Sequence, residues 1–418
     1  MSVLFRKSST LQCRRRFLQI SGLGLSGIAT GLFSGCEPAT TPQLDLDQII
    51  ADLLAQDPMP GMTAALVRGP DLIWSGGFGK ADLEHGVGMT PDHIQNIGSI
   101  SKTVTATAIM QLWENNAFKL DDDVNGFLTF SVRNPRFPDI PITFKQLLTH
   151  RSSINDGPAY DESYACGDPA VSLADWIEGY FSPDGAYYDG ENNFHVWEPG
   201  TVNPPEDPRA YSNVAYGLLG LLVEQITGTP FNTYCKEQIF APLGMNDTGW
   251  MLSEIDVRQH AMTYSEAPES MEASLYLPKA GLDRSSLSAG APFPHCLYSF
   301  YNYPDGLVRT SVNDLSKFLR AYINGGTLNG NRILKPETIQ LMLSDQHHER
   351  GLCWDTYDEE SEAGLLWGHD GGDPGIATFM GFRPSDGVGV VIFYNAGGFS
   401  DATREIVDTL LETGANQG

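Results

Sequence analysis

The sequence lacks Cys-x-x-Cys and His-Glu-x-x-His, the commonest zinc spacings, so it implies no metal and no cofactor. It has no Gly-x-Ser-x-Gly, which excludes the strained serine elbow of one large group of hydrolases. No internal period appears, which argues against solenoids and propellers. Nor is any apolar run long enough for a bilayer; the stretch 20–35 is Gly-rich and too short. Basic residues are scarce. Of the 26, Arg6, Lys7, Arg14, Arg15 and Arg16 fall in the first 35 positions, which hold no acidic residue. The remainder therefore carries 21 basic against 52 acidic residues, a formal charge of −31. A surface this acidic repels nucleic acid and anionic lipid, so no nucleic-acid partner is expected, and solubility explains it better than acidic docking. What is present, 418 residues with 41% hydrophobic, suffices for one large core or two closely joined lobes.

Residues 1–35 read as an address. Arg14-Arg15-Arg16-Phe17-Leu18-Gln19 resembles a twin-arginine export motif, and Leu32-Phe33-Ser34-Gly35-Cys36 resembles a lipoprotein processing site that would leave a lipid on Cys36. An ordinary small-residue cleavage site is the alternative. Residues 36–43 form a tether. The chain is expected to be exported to the periplasm or cell envelope and to touch membrane only through that lipid. Beyond Cys13 and Cys36 remain Cys166, Cys235, Cys296 and Cys353. An oxidising compartment permits bridges, but spacing does not choose among the three pairings, and free buried thiols are equally compatible.

Apolar periodicity predicts a β-hairpin over 62–68 and 71–79, and helices over 102–113, 214–227 (stopped by Gly228) and 315–323. A second hairpin is expected over 378–383 and 388–394 around Pro384-Ser385-Asp386-Gly387, followed by an amphipathic helix over 402–411. The fold class is thus α/β in the α+β sense: one antiparallel sheet built from both chain ends and flanked by helices, with a mainly helical region inserted over roughly 125–300 of a domain spanning 44–418. The stretches 155–209 and 253–302 show no period and are rich in Pro, Gly, Tyr and acidic residues, as functional lids often are.

Of the nine lysines, only Lys102 has a serine three positions before it, in Ser99-Ile100-Ser101-Lys102. That spacing alone carries little weight; its setting carries more. At i and i+3 of a helix the two side chains share a face, which brings an amine beside a hydroxyl. In a first turn, the serine also meets free backbone N–H groups and the positive end of the helix dipole. A lysine serves as base only when its pKa is drawn down, so a partner is expected. Tyr211-Ser212-Asn213 offers a phenol and an amide just before a helix, and His369-Asp370-Gly371-Gly372 offers a ring beside glycines. Taken singly, Tyr211 fits a half-buried core tyrosine and His369 a loop histidine.

Together these elements resemble the serine β-lactamase and penicillin-binding-protein superfamily, with its ordered S-x-x-K, Y-x-N and K-x-G or H-x-G. Leu147-Leu148-Thr149-His150-Arg151-Ser152-Ser153, Pro199-Gly200-Thr201, Pro242-Leu243-Gly244-Met245 and Gly306-Leu307-Val308-Arg309-Thr310 add matches along nearly the whole chain after residue 46. The resemblance implies that Ser99 is the acylated nucleophile, that Lys102 and Tyr211 share acid and base work, and that Asn213 positions the substrate. It places His369 beside the ligand on an edge strand, and the oxyanion hole at the N–H groups of Ser99 and Gly372, next to Gly371. His150 is read as structural. A histidine at 369, where β-lactamases hold a carboxylate-pairing lysine, weakens an antibiotic-resistance reading. The expected reaction is hydrolysis of carboxylic esters or small amides through an acyl-enzyme. D-amino-acid peptides rank second and β-lactams third; the rival from another class is a non-catalytic lipid-anchored binding protein.

Overall fold

The computed structural model describes residues 45–56, 59–201, 210–266, 292–348, 350–357, 364–399 and 401–416. The twin-arginine motif, Cys36 and the tether lie outside the described residues.

Seven strands build the main sheet: β1 (Gly61–Arg68), β2 (Asp71–Asp82), β3 (Val87–Gly88), β4 (Asp355–Tyr357), β5 (Leu366–Asp373), β6 (Ile376–Arg383) and β7 (Val388–Tyr394). Their order is β4-β5-β6-β7-β1-β2-β3, with every neighbouring pair antiparallel. The first and last long strands meet in the centre, from Met62 opposite Tyr394 to Arg68 opposite Val388. The β6–β7 turn closes as its residues require: Gly387 takes φ 69° and Asp386 accepts from the Val388 N–H at 3.2 Å.

Alternation along the central strands assigns their side chains to two cores. Met62, Ala64, Leu66, Val388, Val390, Ile392 and Tyr394 face α1 (Leu46–Leu54) and α6 (Asp401–Asn416), against Ile50, Ile406, Val407, Leu410 and Leu411. Ala65, Val67, Val391 and Phe393 face the opposite core, which also holds α2 (Ser101–Glu114), α3 (Leu173–Phe181), α4 (Val214–Thr227) and α5 (Val312–Ile323). Because both faces are covered, β7 is apolar throughout and buried at every position. Each large side chain buried here is worth about 1.5–3 kcal/mol.

The predicted elements lie where periodicity put them, each extended at one or both ends except β7, which matches 388–394, and α4, which matches 214–227 and stops at Gly228 with φ 69°. Helix α3 differs from expectation, since it falls in the stretch read as aperiodic. Ser172 caps it by accepting from the Asp175 N–H at 3.1 Å, and Trp176, Ile177, Tyr180 and Phe181 are buried. Its nine residues give too few turns for a period to stand out among flanking Pro, Gly and Tyr. The pairing of cysteines, left open by spacing, is Cys166 with Cys296, while Cys235 and Cys353 are buried and form no disulfide.

Candidate active site

Ser99 occupies a tight turn, Gly98–Ile100, that runs straight into α2. Two contacts pin that turn: the Ile97 N–H donates to Val308 O at 2.9 Å, and the Val308 N–H donates to Ser101 Oγ at 3.0 Å. Gly98 has φ 52°, and a Cβ there would lie 3.1 Å from Gly372 N. A Cβ on Gly371 would run into Ile97 O and Thr378 Oγ1. These two glycines let β5 lie directly against the nucleophile turn, which brings Ser99 and Gly372 to one cavity.

Lys102, the second residue of α2, is fully buried. Its Nζ donates to Ser99 Oγ at 3.0 Å, to Asn213 Oδ1 at 2.6 Å and to Asp305 O at 3.0 Å, with Asp305 Oδ2 at 3.4 Å. Nζ also stands 4.9 Å from the centre of the Tyr211 ring, and the Tyr211 phenol is its hydrogen-bonding neighbour. The sequence led us to expect a lysine with a depressed pKa. The structure reverses that: burial pulls the pKa down, but Tyr211, Asp305 and Asp156 outweigh it and hold the value above an ordinary lysine. Lys102 is therefore an ammonium that orients the Ser99 hydroxyl and sets positive charge beside the Tyr211 oxygen, where a phenolate would be stabilised.

The Tyr211-Ser212-Asn213 element is held from two sides. His150 stacks on the Tyr211 ring at 4.2 Å and accepts from the Ser212 N–H at Nδ1, 3.1 Å away; its carbonyl accepts from the Ala210 N–H at 2.9 Å. Its predicted structural role thus becomes specific: it positions the phenol. Asp156, partly buried under the start of α4, accepts from the N–H groups of Asn213 and Val214, from Asn213 Nδ2 and from Ser212 Oγ, all within 2.9–3.2 Å. An anion at a helix N-terminus answers both the free N–H groups and the dipole. Burial pushes its pKa up against those donors and Lys102, with a net rise.

Asp305 closes the far side of Lys102. Asn302 Nδ2 donates to its Oδ1 at 2.8 Å and the Tyr160 hydroxyl to its Oδ2 at 3.0 Å. Asn302 also donates to Asn213 O at 2.8 Å and accepts from the Trp176 indole at 3.0 Å, which ties α3 to the site. Burial raises the Asp305 pKa, and the Lys102 ammonium opposes that rise.

Beside Ser99 opens a cavity of about 230 Å³ lined by Gly98, Ser99, Tyr160, Tyr164, Tyr211, Asn213, Phe300, Asp305, Gly306, Gly372 and Asp373. It joins four of the predicted site residues, Ser99, Tyr211, Asn213 and Gly372, with Lys102 beneath them. It leaves out His369 and Gly371, which the sequence placed beside the ligand. His369 is 3% exposed, with Nδ1–H donating to Asp370 O at 2.6 Å, and burial lowers its pKa. Gly371 is spent on the close approach to the turn. The wall that β5 gives the cavity is instead Gly372 and Asp373. Asp156, Asp305, Tyr160, Tyr164 and Asp373 escaped sequence reasoning. Only Asp305 and Asp373 carried a signal, as neighbours of Gly306 and Gly372 in the matched motifs.

A serine, an ammonium and a phenol meet at the mouth of a buried helix, on an antiparallel sheet covered by helices, which is the architecture of the β-lactamase-like fold. The chain belongs to the Beta-lactamase family, whose model matches residues 46–412. It is 25% identical over 341 residues to penicillin-binding protein 4 of Amycolatopsis lactamdurans, covering 78% of this chain and 79% of that one. The chain spans about three fifths of the length of several other curated relatives. Among solved structures it is similar to the octameric penicillin-binding protein homologue of Pyrococcus abyssi (TM-score 0.64, 26% identity, 88% of this chain and 76% of that one). The D-amino acid amidase of Ochrobactrum anthropi SV3 shares the fold (TM-score 0.66, 22% identity, 90% and 100% covered).

Proposed function

We propose that the protein hydrolyses carboxylic esters or small amides through an acyl-enzyme on Ser99. The observation that carries this reading is the 3.0 Å contact between Lys102 Nζ and Ser99 Oγ, with Asn213 on the same ammonium and Tyr211 beside it. Tyr211, starting as a phenolate held by the Lys102 ammonium, takes the Ser99 proton as Oγ attacks the carbonyl carbon, and returns it to the departing alcohol or amine, which restores the phenolate. Water then attacks the ester on Ser99, its proton passing to Tyr211 and on to Oγ as the acid leaves. The N–H groups of Ser99 and Gly372 receive the developing oxyanion. Among the described residues lining the cavity there is no cation, and two are carboxylates, so an anionic β-lactam ranks last, behind D-amino-acid peptides. The amidase sharing the fold supports the amide class.

Ser99→Ala is expected to abolish labelling by a fluorophosphonate probe and to lower hydrolysis of p-nitrophenyl esters by about 10³-fold or more, with little change in Tm. Assays with a D-alanyl peptide and a chromogenic cephalosporin run alongside to rank substrates. Comparable labelling of the alanine variant would remove Ser99 from its role. A wild-type protein that never labels would point to the lipid-anchored binding reading. We further propose export with lipid on Cys36; the Cys166–Cys296 bridge supports an oxidising compartment. The N-terminal mass of protein from the membrane fraction tests this, and an unlipidated Cys36 or an uncleaved leader overturns it.

A further inference from the structure

One wall of the cavity takes no part in the acyl-transfer scheme. Asp373, the last residue of β5, follows directly on Gly372 and faces the space beside Ser99. Its Oδ1 accepts from the Tyr164 hydroxyl at 3.0 Å. Its Oδ2 is buried and receives no hydrogen bond. The neighbouring phenol of Tyr298 has its proton on Pro374 O at 3.0 Å and accepts from Asn96 Nδ2 at 2.9 Å, so it has none to spare. A buried carboxylate oxygen with no donor is costly when ionised, and it is met either by a proton or by a donor brought in with a ligand. Burial, with Asp305 nearby, pushes the Asp373 pKa up to about 8 against the Tyr164 hydroxyl and Lys102.

The cation already in the site does not meet this need. Lys102 is engaged by Ser99, Asn213 and Asp305. Asp305 in turn holds the Tyr160 hydroxyl at 3.0 Å, which lies 3.5 Å from the Tyr164 hydroxyl. Asp305 answers the lysine, whereas Asp373, at the other end of that row of hydroxyls, faces the cavity with one oxygen unanswered. Around it, Tyr160, Tyr164 and Phe300 supply aromatic faces, the surface that an organic ammonium prefers. A space of about 230 Å³ holds one small molecule, so a group at Asp373 and a carbonyl at Ser99 belong to the same substrate.

We propose that Asp373 receives a primary ammonium of the substrate, so that the preferred acyl donors are esters or amides bearing a free amine close to the scissile carbonyl. This rests on the acyl-enzyme reading of Ser99 and deepens it from a reaction type to a substrate class. Asp373 acts on specificity, while Ser99 and Tyr211 make and break bonds.

The test compares phenylalanine p-nitroanilide with its N-acetyl counterpart, in both enantiomers, on the intact chain. Wild type should favour the free amine in kcat/KM by about tenfold or more, the preference residing mainly in KM. Asp373→Asn should collapse that ratio toward one and Asp373→Glu should restore part of it; Asp373→Ser replaces the Asn variant if the latter fails to fold. A second arm dispenses with turnover: calorimetric titration of the Ser99→Ala protein with phenylalanine amide and N-acetylphenylalanine amide. The amine should bind at least tenfold tighter, and the added Asp373→Asn change should erase the difference. Equal binding of the two amides, or a preference that survives removal of Asp373, overturns the proposal. An amine preference in binding by a protein that hydrolyses nothing would uphold Asp373 while defeating the acyl-enzyme reading.

Discussion

The sheet and the cavity wall are stabilised in different ways. Between α1 and α6, the strands repeat one contact many times: Met62, Ala64 and Leu66 lie beside Tyr394, Ile392 and Val390, over Ile406, Leu410 and Leu411. No single pair decides the outcome, because neighbours share the load. The wall formed by Tyr160, Tyr164, Phe300 and Asp305 relies on contacts that occur once each. The Cys166–Cys296 bridge joins the strand pair Ala165–Cys166 and Tyr298–Ser299, and the buried Arg309 donates to Trp250 O and Tyr298 O just behind it. Repetition makes a region tolerant of substitution, whereas single contacts make it sensitive yet precise in placing a few atoms.

Two sets of substitutions put that contrast to work. Leu410→Ala, in the repeated region, should cost about 2–5 kcal/mol in a denaturant melt while leaving kcat/KM of the folded protein nearly unchanged. Replacing Cys166 and Cys296 together by serine should cost about 2–4 kcal/mol and also lower kcat/KM, because Tyr164 and Phe300 lose their anchor. If the cysteine variant keeps full kcat/KM, or the leucine variant loses it, the division between the regions fails. A smaller effect separates them by pH. With its pKa raised from 3.8 to about 8, Asp373 binds more protons folded than unfolded across that window. Its contribution to stability is therefore present at low pH and drains away as pH rises toward 8. The Tm of Asp373→Asn relative to wild type should climb between pH 5 and pH 8 and level off beyond. The shifts of Asp305 and Lys102 persist in both proteins; a flat difference would show that Asp373 is not held protonated.

The same contrast explains what could be read without coordinates. β7 and α4 announce themselves because each residue is selected by neighbours a few positions away, in a period that the chain displays openly. Ser99, Lys102, Tyr211 and Asn213 were legible through motif order, and the structure gathers them around one ammonium. Asp156 was not, since its partners Ser212, Asn213 and Val214 are 56 to 58 residues away and nothing local marks it. The cysteine pairing spans 130 residues and was equally silent. The direction of the Lys102 pKa was misjudged for a related reason: burial is easily foreseen from a helical pattern, whereas Tyr211, Asp305 and Asp156, which together outweigh it, come from distant stretches of chain.

Met62 pairs with Tyr394, and the turn bearing Ser99 leans on Gly371 and Gly372. A ribosome making this chain releases Ser99 long before the strand that completes its surroundings. Chains interrupted before β5 would carry Ser99 without the backbone of Gly372 beside it, and a first strand waiting for its central partner. On the mechanism proposed above, such truncated products would be inert.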